Sequence, residues 1–180
     1  MFGVFCRDDY RMGKELRVAV DIGANIGVAT LYFLSRNSGS VVYAYEPVPR
    51  NAERFLTNIA PFSSRCELSR VAVGPRSGMV DFGVEPTGKF GGINVASSER
   101  ISVPCVAIND ILEQVLSKHS EIDCLKIDVE GTERETLSSI GREFWSRIRR
   151  VYAESCDSQS FLPGNFRRTF RYNVERLERI

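Results

Sequence analysis

Apolar runs too short for helices alternate along this chain with stretches whose apolar residues fall three and four apart. The first run, Val18-Ala19-Val20, leads into Asp21 and Ile22. A turn through Gly23 and Gly27 follows, then Ala29, Leu31, Tyr32, Phe33 and Leu34 at helical spacing. This predicts a strand, a glycine turn and a helix, half of a nucleotide-binding βαβ unit. Val41 to Tyr45 reads as a second buried strand with Glu46 at its end. Pro47 and Pro49 then open a helix, where proline is tolerated in the first turn. Its Ala52, Phe55, Leu56 and Ile59 share one face, and Ala60 to Ser64 breaks it. Cys66 to Val73 is the expected third strand. After the turn from Gly74 to Gly78, Met79 to Val84 is an expected antiparallel addition. Ile101 to Ala107 is a strand that Pro104 should confine to an edge.

Asn109 is the expected N-cap of a helix marked by Ile108, Ile111, Leu112, Val115 and Leu116, with His119 at its C-terminal end. Ile122 to Val129 predicts the fourth parallel strand. Leu125, Ile127 and Val129 would share one face, and Cys124, Lys126 and Asp128 the other. Thr132 and Glu135 have capping-box spacing ahead of a helix that packs through Leu137 and Ile140. Arg150 to Glu154 is the expected fifth strand. Phe166 to Phe170 reads as a short helix and Tyr172 to Leu177 as a sixth strand, with no sequence left for a seventh. Strands alternating with helices predict one α/β domain over residues 1–180, a mostly parallel twisted sheet with helices on both faces. The short front and the missing last strand make that fold look truncated at both ends.

Composition narrows the picture. A hydrophobic fraction of 43% over 180 residues suits an ordinary globular core. The net charge of +1 gives no electrostatic footprint for nucleic acid or an anionic membrane. No apolar run approaches the ~20 residues of a membrane span, and the first ten residues lack the pattern of a signal peptide. The five cysteines are odd in number, scattered and without a C-x-x-C pair, which argues against zinc and disulfide frameworks. A reducing cytoplasm is the expected location.

The candidate chemistry starts from two acids near the ends of two successive strands. A dinucleotide fingerprint would place glycine where Asn25 stands, and Asp21 just before the turn is awkward for a pyrophosphate. That arrangement suits a ligand with both an ammonium and a carboxylate, such as the amino-acid end of S-adenosylmethionine. Glu46, about 20 residues past the turn, is placed to meet ribose hydroxyls. An NAD(P)-binding Rossmann oxidoreductase remains the alternative among enzymes.

Four stretches together resemble one family. DIGANIG at Asp21–Gly27, YEPVPRNAERF at Tyr45–Phe55, VAVGPRSG at Val71–Gly78 and LKIDVEGTERETL at Leu125–Leu137 are similar, in that order, to the FkbM family of S-adenosylmethionine-dependent methyltransferases. The resemblance implies a Rossmann-like class I methyltransferase fold and transfer of a methyl group, usually to the hydroxyl oxygen of a small acceptor such as a sugar or secondary metabolite. It places the cofactor against Asp21, Gly23, Ala24, Asn25, Gly27, Glu46, Pro47, Val71, Ala72 and Asp128. The end of the fourth strand faces the methyl group in that fold, so Asp128 is the first choice of general base, with Glu130 and Lys126 behind it. Lys126 could instead pair with Asp128. Asp128 and Glu154 offer two oxygen ligands for a magnesium ion, without an evident third. The glycine-containing stretch from Pro86 to Ser98 reads either as a plain hairpin loop or as a flap over the acceptor, with Phe90 and Asn94 as candidate contacts. A small hydroxylated acceptor is the expected partner, with no nucleic acid or membrane, and a homo-oligomer is left open. A cofactor-binding module without catalysis, completed by a partner, is the competing reading.

Overall fold

The computed structural model describes residues 10–84, 91–92, 99–129, 131–154, 162–171 and 174–180. Strand β1 (Val18–Ile22) leads through the glycine turn into helix α1 (Val28–Arg36), and β2 (Val41–Tyr45) leads into α2 (Pro49–Ile59). A 3₁₀ turn then gives β3 (Cys66–Ser69) and β4 (Ala72–Gly74). Next come β5 (Gly78–Val84), β6 (Gly91–Gly92), β7 (Glu99–Ala107) and α3 (Ile108–Lys118). The chain closes with β8 (Cys124–Ile127), α4 (Glu133–Ser138), α5 (Arg142–Trp145), β9 (Arg150–Glu154), β10 (Phe166–Arg171) and β11 (Val174–Arg179).

The main sheet has seven strands in the order β10-β11-β9-β8-β1-β2-β3. The five strands from β3 across to β9 run parallel, and the β10–β11 hairpin adds antiparallel to β9. This is the mixed α/β, mostly parallel architecture expected. Period-two alternation sorts each strand onto two cores. Val18, Val20, Ile22, Leu125 and Ile127 pack with Ile111, Leu112, Val115 and Trp145 on the α3–α5 face. Ala19, Ala44 and Cys124 pack with Phe33, Phe55 and Ile59 on the α1–α2 face.

Several expectations are corrected. The last strand is not missing: residues read as a helix and a strand form the β10–β11 hairpin. Phe166 and Phe170 are four apart, a spacing that satisfies both a helix and a period of two. Phe166 packs edge-on against Trp145 with ring centroids 5.2 Å apart, which decides for the strand. The single third strand is two. Ser69 ends β3 with its carbonyl accepting the Glu46 N–H at 3.1 Å, and the chain then leaves the main sheet. Ala72–Gly74 pairs parallel with β7 in a separate four-stranded sheet, order β4-β7-β5-β6. The strand β7 is therefore internal there. Its pairing with β4 begins at Cys105, one residue beyond Pro104, so the proline still sits where one side of the strand is unpaired.

Two caps also differ. Helix α3 starts from Ala107 without a side-chain cap, and Asn109 lies inside it. The Asn109 amide donates to the Ser139 carbonyl at 2.9 Å and accepts from the Gly141 N–H at 3.0 Å, tying α3 to the end of α4. Thr132 caps α4 without a side-chain bond. The reach-back comes from Glu133, whose carboxylate accepts the Gly131 N–H at 2.9 Å.

Candidate functional site

In an open α/β sheet the ligand crevice lies outside the carboxyl ends of the strands. Here the turn after β1 crosses to β2: the Gly23 and Ala24 N–H groups both donate to the Tyr45 carbonyl at 3.0 Å. Gly23 has φ +72, and a Cβ there would stand 1.8 Å from the Asp128 carbonyl oxygen. The glycine is thus demanded by the backbone at the end of β8. Asn25 takes φ 49, the left-handed region that asparagine tolerates better than most residues.

Glu46 closes the turn onto β2. One carboxylate oxygen accepts the Asn25 N–H at 2.8 Å. The other accepts the Val48 N–H at 2.9 Å and the Asn51 amide at 3.5 Å. Burial pushes this carboxyl up from its ordinary value, and the three donors oppose that rise.

A cleft opens above these residues. Glu46, Asn51, Asn25 and Asp128 supply its polar groups, while Pro47, Val48, Val71, Ala72, Val73, Phe82 and Val129 supply its apolar wall. Ligand pockets typically combine such an apolar lining with a few placed polar groups. Each carboxylate oxygen can accept two hydrogen bonds, so Glu46 keeps acceptor capacity beyond its protein partners.

Beneath the cleft lies a buried charge cluster. Asp21 and Lys126 are register neighbours on β1 and β8 and meet at 2.9 Å. The second Asp21 oxygen accepts the Thr30 hydroxyl of α1 at 2.6 Å. The Lys126 ammonium also donates to the Gly23 carbonyl at 3.0 Å and the Ile22 carbonyl at 3.3 Å, and lies 3.4 Å from Asp128. Burial alone would drive Lys126 toward the neutral amine; Asp21 and Asp128 outweigh it and hold the ammonium charged. Lys126 is thereby held as a buried cation between the ends of β1 and β8.

The comparisons agree with this architecture. The model of the methyltransferase FkbM domain matches residues 21–177. The chain belongs to that family. Among curated relatives it is 28% identical to the 31-O-demethyl-FK506 methyltransferase FkbM of Streptomyces tacrolimicus, over 82% of this chain and 69% of that one. It is 27% identical to the 2-O-methyltransferase NoeI of Sinorhizobium fredii, over 80% and 65%, and 26% identical to Methyltransferase 1 of Beauveria bassiana, over 78% and 65%. The chain thus spans about two thirds of the length of these relatives. The crystal structure of an FkbM methyltransferase from Methylobacillus flagellatus shares the fold with a TM-score of 0.64 at 18% identity, over 97% of this chain and 46% of that one. A putative methyltransferase from Streptococcus mutans in complex with SAH shares it with a TM-score of 0.51 at 9% identity, over 91% and 89%.

Within this FkbM domain the residues singled out from sequence separate into two layers. Gly23, Asn25, Glu46, Pro47, Val71, Ala72 and Asp128 line the cleft. Asp21, Ala24 and Gly27 do not. Asp21 is fully buried below it, Ala24 is held against β2, and Gly27 caps α1 with φ 87. Lys126 and Asp128 do pair, as their shared face suggested. Glu130, Phe90 and Asn94 lie outside the described residues, as do most of the flap and the Glu154 side chain. Among the described residues no cluster of three or more acids, histidines or cysteines could hold a metal, and no helix is long and apolar enough to cross a membrane. Sequence reasoning missed Asn51, Phe82 and Val129 in the cleft wall and Thr30 beneath it. Phe82 alternates with Val80 along β5 and was legible on that pattern; nothing local to Asn51 or Thr30 marks their partners.

Proposed function

We propose that this chain transfers a methyl group from S-adenosylmethionine to a hydroxyl oxygen of a small acceptor, a sugar or secondary metabolite. The observation that carries this reading is Glu46: a buried carboxylate at the end of β2, clasping the glycine turn and lining an otherwise apolar cleft. The donor set fits an adenosyl ligand. Glu46 has acceptor capacity for ribose hydroxyls, Val71, Ala72 and Phe82 give the adenine ring an apolar wall, and Gly23 and Asn25 border the amino-acid end. Asp21 acts indirectly, by fixing Lys126 and Thr30, since its carboxylate is buried below the cleft. Bound there, the cofactor supplies a methyl group already activated on a sulfonium.

Asp128 is the general base of this reading. Its side chain is 37% exposed, in contrast to the buried Asp21 and Lys126 beside it. It accepts the acceptor's hydroxyl proton as that oxygen gains the methyl group. Lys126, 3.4 Å away, holds the carboxylate in place. The relatives named for 31-O and 2-O methylation support oxygen as the target, and the SAH-bound neighbour supports the cofactor.

The reading is tested by incubating the protein with methyl-labelled S-adenosylmethionine and a panel of sugars, polyols and macrocyclic alcohols. Label transferred to a hydroxyl supports it. Saturable binding of the cofactor with no transfer to any member would favour the non-catalytic module. The complete seven-strand sheet has already removed one ground for that alternative.

A further inference from the structure

A second, smaller cavity lies where the residues before β1 meet the ends of β8 and β9. Tyr10, Lys126, Asp128, Tyr152 and Val174 line it. Asp128 lines the large cleft as well, so the two spaces meet at one carboxylate.

The polar groups of this cavity are not equivalent. The Lys126 ammonium is engaged by Asp21 and two backbone carbonyls. The Tyr152 hydroxyl donates to the Tyr10 carbonyl. The Tyr10 ring is fixed by three aromatic neighbours, Tyr32 at 5.9 Å, Phe33 at 5.3 Å and Tyr152 at 5.2 Å between centroids. Tyr10 is 8% exposed, yet its hydroxyl has no hydrogen-bond partner among the described residues. The hydroxyl oxygen is not sealed off from solvent, and Tyr10 lines the cavity, so the hydroxyl is open to bond a ligand oxygen there. Burial pushes the pKa of this phenol up, so the hydroxyl stays protonated and remains a donor.

We propose that Tyr10 binds the methyl acceptor, its hydroxyl donating to an acceptor oxygen in the small cavity and so setting the acceptor's hydroxyl against Asp128. The proposal rests on the methyltransferase reading and deepens it. A donor and a carboxylate on one small cavity favour oxygen-rich acceptors, polyols or sugar rings, over apolar alcohols.

The test uses protein labelled with 3-fluorotyrosine and saturated with S-adenosylhomocysteine. Tyr10→Phe assigns the Tyr10 fluorine signal among the six tyrosines and keeps the ring contacts. Methyl α-D-glucopyranoside and trans-cyclohexane-1,2-diol are the probes. The Tyr10 signal is expected to shift saturably with at least one probe. Tyr10→Phe should weaken that probe roughly three- to tenfold, the scale of one hydrogen bond, with S-adenosylhomocysteine affinity unchanged. A Tyr10 signal unmoved by both probes, or a probe that binds Tyr10→Phe as well as wild type, overturns the proposal. Failure of S-adenosylhomocysteine to bind in calorimetry is a separate result and overturns the cofactor reading beneath it.

Discussion

Asp21 and Lys126 stand on neighbouring rungs of β1 and β8 and meet at 2.9 Å with both side chains buried. The pair locks together the two strands whose ends carry Gly23 and Asp128. Removing one partner of a buried pair strands the other charge, at a cost of about 3–5 kcal/mol. Asp21→Asn should therefore lose about 3 kcal/mol of stability in urea denaturation, softened by Asp128 nearby. Adding Lys126→Met should restore part of it, because the two changes share one interaction. Stability equal to wild type with cofactor affinity abolished would mean that Asp21 touches the ligand itself.

Gly23 and Gly27 occupy the same turn but should respond differently to alanine. At Gly23 a Cβ meets the Asp128 carbonyl at 1.8 Å, a rigid backbone atom. At Gly27 the nearest atoms belong to the Phe55 side chain at 3.0 Å. Both sites pay the left-handed φ penalty of about 1–2 kcal/mol. Gly23→Ala should add displacement of the end of β8 and give the larger drop in melting temperature. Equal drops would show that the close approach is relieved without cost.

Glu46→Ala should weaken S-adenosylhomocysteine by about 1.5–3 kcal/mol, the scale of a charged hydrogen bond. Acidity offers an independent check. Burial raises the Glu46 carboxyl above 4.5, so it takes up a proton at a higher pH than an exposed glutamate. Affinity that needs the carboxylate should fall as pH drops through that raised value. The sign for stability is opposite: a raised folded value means that Glu46 favours the fold below the unfolded pKa and that this contribution is lost as pH rises through the folded one. In Glu46→Gln the acid-side fall in affinity should disappear.

Asp128→Asn should lower kcat by roughly 10²–10⁴, as for loss of a general base, with cofactor affinity nearly unchanged. Steady-state kinetics on any acceptor found to be methylated will check this. An unchanged rate would remove Asp128 from the proton transfer.

The strands β1, β2, β8 and β9 and the cleft residues Gly23, Glu46 and Asp128 were legible because continuous apolar runs and the residues at their ends are local signals. The pairing of Lys126 with Asp128 was legible from a spacing of two along one strand. That Lys126 bonds Asp21 more closely was not, since it depends on the parallel register between strands about 100 residues apart in sequence. Of the β10–β11 hairpin, β11 was legible as a strand, while β10 reads as a helix because Phe166 and Phe170 satisfy two periods at once. Chain direction after Ser69 was missed because Cys66 to Val73 is uniformly strand-like, and only pairing partners show that it serves two sheets. Tyr10 lies in a weakly patterned segment, and its importance comes from neighbours on α1 and β9.

The central claim is that Glu46 and the turn it clasps hold an adenosyl cofactor rather than a dinucleotide. Isothermal titration of wild type and Glu46→Ala with S-adenosylhomocysteine and with NAD tests it most directly. The account predicts saturable binding of S-adenosylhomocysteine, weakened by the substitution, and no binding of NAD. Binding of NAD alone, or S-adenosylhomocysteine binding that a folded Glu46→Ala variant leaves untouched, would contradict it.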